Sequence, residues 1–215
     1  MAKLAVSRFL THHNGNQWCA MCVDTTGPQV ELHEIIQVAI LPLDASLNPL
    51  AGHLPFNTIL KPDKPEYCDN RRLRKVGIDP RNLNVNGLDP ILVGDLLESW
   101  IESLRLGDKA GGTPRQIIPI AFEYSTTIPF LHAWLGKLFF YLYFKDEYRD
   151  IKTSALYMKD RFGWYAGRDP IPKVDFSYIC SSLGVKQTHG TNALARCWSI
   201  AQAYKKMLSH MLPAY

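Results

Sequence analysis

The residues of this chain whose types suit chemistry are a carboxylate, a cluster of cations and a pair of thiols. Asp24 ends the apolar run Trp18-Cys19-Ala20-Met21-Cys22-Val23 and is followed by Thr25-Thr26-Gly27-Pro28, residues that stop a strand. A strand stopping there delivers the carboxylate to its end. Arg71, Arg72, Arg74 and Lys75 crowd together, and they suit either the solvated face of a short helix or a patch that contacts phosphates. Cys19 and Cys22 make a C-x-x-C, the spacing of zinc sites and dithiol redox centres, but no second pair or following histidine completes it. In a buried strand the same two residues read as core thiols.

The elements that must position these groups follow from hydrophobic periodicity. After the first strand come two β-rich runs, Glu34 to Leu43 and Leu54 to Leu60, which suggest a meander of antiparallel strands. Lys61 to Leu88 is polar and rich in Pro, Asn and Asp. Leu92, Leu96, Leu97, Trp100, Ile101 and Leu104 recur at helical spacing over Ile91 to Leu106. Gln116 to Phe122 is another candidate strand, in which Pro119 removes one ladder donor. Ile128 to Phe144 reads as one long apolar helix. A short strand near Tyr148 to Ile151 follows, then helices near Thr153 to Phe162, Asp175 to Leu183 and Asn192 to Leu212, with Gly163 to Pro172 as an exposed loop carrying Trp164, Tyr165 and Arg168. Strands first, then strands alternating with helices, indicate one sheet with helices on its faces.

Bulk properties narrow the setting. At 215 residues and 47% apolar content, one substantial core is expected. The net charge of +4 is compatible with a polyanionic partner and does not require one. The sequence carries no apolar run long enough to span a bilayer, and Met1-Ala2-Lys3-Leu4 does not open a signal peptide, so an intracellular, cytoplasmic protein without a membrane partner is expected. Its five cysteines are an odd set, and reduced thiols are the default.

Four segments carry a family resemblance: Cys22-Val23-Asp24-Thr25-Thr26-Gly27, Ala121-Phe122-Glu123-Tyr124-Ser125-Thr126-Thr127-Ile128-Pro129-Phe130-Leu131, Tyr148-Arg149-Asp150-Ile151-Lys152-Thr153, and Thr191-Asn192-Ala193-Leu194-Ala195-Arg196-Cys197. In this order they resemble the motifs of the DEDDh (DnaQ-like) 3′–5′ exonuclease superfamily: D-x-E-T-T-G, A-H-N-x-x-F-D-x-x-F-L, a fifth-strand segment, and H-x-A-L-x-D-A. The resemblance implies an α/β ribonuclease-H-like exonuclease fold, a central five-stranded mixed sheet flanked by helices, forming one domain over 1–215 with its core at about 18–212.

It also places the site residues. Cys22 stands at the family's first Asp and Asp24 at its Glu. Thr127 and Arg196 take the places of the second and last Asp, and His189 lies two residues upstream of the expected His. Asp24 is the only aligned metal ligand. Active members use two divalent cations about 4 Å apart, and Mg²⁺ needs hard oxygen ligands that Cys22 and Thr127 supply poorly. A guanidinium about 4 Å from a divalent ion, at an effective dielectric of ~20, opposes it by on the order of 8 kcal/mol.

The resulting expectation is a catalytically degenerate exonuclease-like protein without a cofactor, with Arg196 standing in for metal charge beside Asp24. It would bind single-stranded DNA or RNA through Arg71, Arg72, Arg74, Lys75 and Arg196, with Tyr124, Trp164 or Tyr165 as stacking faces, or else bind a protein partner. The alternative is an active exonuclease on single-stranded DNA or short RNA, in which Mg²⁺ or Mn²⁺ is held by regrouped Asp24, Glu123, Asp150 and His189.

Overall fold

The computed structural model describes residues 16–79, 83, 85–104, 106, 115–166, 171–187 and 192–211. Its strands are β1 (Gln17–Thr25), β2 (Ile35–Leu43), β3 (Phe56–Ile59), β4 (Ile117–Ala121) and β5 (Arg149–Asp150). The helices are α1 (Asn70–Lys75), α2 (Pro90–Ser103), α3 (Tyr124–Leu135), α4 (Lys137–Tyr143), α5 (Ile151–Ala166), α6 (Phe176–Ser182) and α7 (Ala193–Met211). The strands form one sheet in the order β3-β2-β1-β4-β5. β1–β2 and β2–β3 are antiparallel, whereas β1–β4 and β4–β5 are parallel. This is the five-stranded mixed sheet flanked by helices that the motifs imply.

Alternation along β1 sorts its side chains between two apolar layers. Trp18, Ala20 and Cys22 face α5, α6 and α7, where they meet Ile151, Ile179, Cys197 and Ile200. Cys19, Met21 and Val23 face α2, α3 and α4, where they meet Val93, Leu97, Leu131 and Phe140. With both faces covered, β2 is buried along its whole length. The C-x-x-C is thereby explained: its thiols lie on opposite faces of the sheet and both are unpaired. The metal or redox reading of that motif is set aside, because residues three apart on a strand cannot share a ligand.

Helix starts follow their caps. Asp69, Asp89, Asp175 and Asn192 accept backbone N–H groups in the first turns of α1, α2, α6 and α7. Two boundaries differ from expectation. The single helix expected over Ile128 to Phe144 is two, because Gly136 adopts φ +77° and breaks the chain between α3 and α4. The segment expected as a loop from Gly163 is helical at its start, since α5 continues to Ala166. Among the described residues no helix is long and apolar enough to cross a membrane.

The polar segment between β3 and α2 is tied down at both ends. Leu88 N–H donates to Ile59, Lys61 N–H donates to Leu88, and Asp69 N–H donates to the Thr26 carbonyl beyond β1. Gly87 lies so close to this crossing that a Cβ there would stand 2.6 Å from the Leu83 carbonyl and 2.7 Å from Lys61 N. Both are backbone atoms that cannot swing away. Gly87→Ala is therefore expected to cost about 1–3 kcal/mol, whereas Gly94→Ala, whose Cβ on α2 would meet nothing within 4 Å, gains up to about 1 kcal/mol from helix propensity. Urea denaturation of both variants checks the opposite signs.

Candidate functional site

The parallel pairing of β1, β4 and β5 gathers their C-terminal ends along one edge of the sheet. Ligands of open α/β sheets bind at such edges. The register Ala20↔Ile120 and Ala121↔Asp150 brings Asp24, Glu123 and Asp150 out on neighbouring strands.

Asp24 is 5% exposed and lies on the β1 face turned toward α7. Arg196, in the first turn of α7, donates from Nη2 to Asp24 Oδ2. Burial pushes the Asp24 carboxyl upward, against the pull of Arg196 and, more weakly, of Arg72 on α1. For Arg196 burial acts to lower the pKa, but its neighbours outweigh it and hold the guanidinium up. Asp24 is the neighbour that matters there, since burial pushes the Cys22 thiol up to about 12 and leaves it uncharged at neutral pH. Arg196 Nε is buried without a hydrogen-bond partner among the described residues.

The register of α7 over this pair is fixed by contacts the sequence did not advertise. Gln37, opposite Asp24 on β2, is buried and accepts the Ala193 N–H at 3.4 Å. Cys197 Sγ donates to the Ala39 carbonyl at 3.3 Å. Gln37 had one legible signal: it is the single polar side chain in the run Ile35–Leu43.

Asp150 is committed to the backbone. Its carboxylate accepts the N–H groups of Glu123 at 3.2 Å, Tyr124 at 2.9 Å and Lys152 at 2.9 Å, so it caps α3 and the first turn of α5 together. Glu123 is turned into the left-handed region, φ +55°, and its carboxylate pairs with Lys152 Nζ. Lys152 was not singled out by sequence. No spacing rule marks it, because the turn at Glu123 creates the pairing.

The remaining expected residues fall as follows. Thr127 is half-buried in the first turns of α3 and brings no carboxylate. Arg71, Arg72, Arg74 and Lys75 are exposed on α1, which Asp69 fastens to the end of β1. Tyr124 is corrected: it is wholly buried, its ring 4.9 Å from that of Tyr148, so it offers no stacking face. His189 and the side chains of Trp164 and Tyr165 lie outside the described residues.

Two divalent ions do not fit the described groups. Asp24 carries a guanidinium, Asp150 already accepts three N–H donors and Glu123 holds an ammonium. Among the described residues no three His, Cys, Asp or Glu side chains converge to hold a metal ion.

The sheet order and its helices define the fold shared by ribonuclease-H-like 3′–5′ exonucleases. Among solved structures the chain is similar to exonuclease I, with TM-score 0.62 and 14% identity over 90% of this chain and 41% of that one. It is similar to E. coli exonuclease I in complex with a dT13 oligonucleotide, with TM-score 0.59 and 15% identity over 88% of this chain and 40% of that one. It is also similar to cell-death related nuclease 4 (CRN-4), with TM-score 0.65 and 14% identity over 91% of this chain and 64% of that one. At such identities the likeness establishes the fold, and the chain spans less than two thirds of each of these proteins. No protein-family model matches the chain, and no curated protein matches it in sequence.

Removing Arg196 strands a buried carboxylate. Arg196→Ala is expected to cost about 3 kcal/mol, and the double replacement Asp24→Leu with Arg196→Met less than that. The sign with pH is set by the raised Asp24 carboxyl: the folded state binds the proton more readily than the unfolded chain, so stability falls as pH rises from the unfolded value through the higher folded one. The Arg196→Ala deficit should therefore be smaller near pH 4 than near pH 7, as denaturant titrations at the two pH values will measure.

Proposed function

We propose that this chain is a catalytically degenerate member of the DEDDh exonuclease-like proteins that binds single-stranded nucleic acid at the C-terminal edge of its sheet without hydrolysing it. One observation carries the reading: the buried ion pair of Arg196 with Asp24, at positions where the resemblance implies metal-binding carboxylates. A pair of this kind places one internal positive charge on the carboxylate where a metal cation would otherwise sit. Cys22 and Thr127 at two further ligand positions support the same conclusion.

Binding is supported by the arrangement of cations. Arg71, Arg72, Arg74 and Lys75 are exposed on a helix anchored beside Asp24, and Arg196 keeps part of its side chain open to solvent. Solved structures of similar fold contain single-stranded oligonucleotides. Phosphate contacts from such a cluster give affinity without base specificity.

The test uses a labelled single-stranded oligonucleotide with Mg²⁺ or Mn²⁺ present. Binding should weaken as salt rises, with a slope of about 0.7 per phosphate contacted. Arg72→Ala and Arg74→Ala should each weaken it several-fold, and no shortening of the strand should occur. Shortening from the 3′ end that Asp24→Ala abolishes would sink the degenerate reading and restore the active one. Salt-insensitive capture of a protein, with no oligonucleotide bound, would favour a protein partner instead.

A further inference from the structure

The edge of the sheet carries two acid–base pairs that differ in one respect. Asp24–Arg196 is buried, whereas the side chains of Glu123 and Lys152 are 42% and 38% exposed. The open pair is nevertheless held in place. Glu123 sits at φ +55°, ψ +44°, a conformation that residues other than glycine, asparagine and aspartate seldom adopt and that persists where surrounding contacts impose it. Asp150 imposes it here, by accepting the N–H groups of Glu123, Tyr124 and Lys152.

The same three hydrogen bonds bring the first turn of α5 against the end of β4. Lys152 Nζ thereby reaches Glu123 Oε1, with the Phe122 ring 6.0 Å below it. The Glu123 contact raises the lysine pKa, so it is a full cation at neutral pH. Because β1 and β4 are parallel neighbours, with strands about 5 Å apart, the turn at Glu123 emerges beside the strand end that carries Asp24.

We infer that Lys152 is a phosphate-contacting residue of this edge and that Glu123 is its built-in competitor, displaced when the phosphodiester of a bound single strand takes its place. The inference rests on the nucleic-acid reading above. An exposed ion pair is weak in water, so exchanging one anion for another at Lys152 costs little. A polyanionic strand gains in addition from the counterions it releases. The buried pair cannot exchange in this way, because an unpaired Asp24 carboxylate would stay in a desolvated site. The strained turn then has a use: it parks an anion on the cation that the ligand will need.

Fluorescence-anisotropy titrations of the full chain with a labelled single-stranded oligonucleotide, over a range of salt, test this. Lys152→Ala and Lys152→Gln should each weaken binding several-fold and reduce the salt slope by about 0.7, whereas Lys152→Arg retains both. Glu123→Gln should tighten binding by about two- to fivefold. That sign separates the inference from a metal-ligand role, in which losing the carboxylate weakens binding in Mn²⁺. Unchanged affinity and slope in both Lys152→Ala and Lys152→Gln, with the wild type binding, overturn the inference and leave the broader reading standing. No binding by the wild type overturns both.

Discussion

A carboxylate taken almost entirely out of water must be matched by a cation or give up its charge, and Asp24 sets that condition for the whole sheet edge. Arg196 meets it from α7, and α7 must then lie over the end of β1 in one register. Gln37 receiving the Ala193 N–H and Cys197 reaching the Ala39 carbonyl are the contacts that hold this register. The apolar layer beneath them, with Ile200, Ala201 and Tyr204 packed on Trp18 and Ala20, supplies the adhesion. The ion pair determines where the helix sits; burial of apolar surface determines that it sits at all.

Asp150 plays the corresponding part on the other side of the edge with different chemistry. It is matched by peptide N–H groups instead of a side-chain cation, and the dipoles of two helix starts favour its charge. One carboxylate thus orients α3 and α5 and forces the turn at Glu123. Among the described residues the charge of Asp150 is thus matched by N–H groups of the chain itself.

Much of this was legible in the sequence, for reasons that differ by residue. The strands were visible because runs such as Ile35–Leu43 are too apolar to lie anywhere but between two layers. Asp24 and Arg196 could be placed because turn residues and a helical repeat fix the elements that carry them. The break at Gly136 was missed because Lys137–Tyr143 continues the same apolar helical character across it. Tyr124 was misjudged because it follows a strand end, where exposure is common, and only the packing of α3 against the sheet buries it. Lys152 was invisible for a deeper reason. Its partner is selected by a positive φ at a glutamate, and no residue type in the sequence announces that conformation.

The two pairs together alter how the edge would meet a phosphate. Bare carboxylates at three adjacent strand ends would repel a polyanion, and in an enzyme of this fold metal ions would have to reverse that field. Here Asp24 and Glu123 are each paired with a basic side chain and the charge of Asp150 is stabilised by backbone N–H groups, so of the three carboxylates only Asp150 lacks a cationic partner among these contacts. The exposed cations of α1, fastened to the end of β1 through Asp69, are then not cancelled by the groups beside them. On the proposed reading a surface built this way attracts phosphates without a metal ion as intermediary, and the attraction depends on ionic strength more than on base sequence.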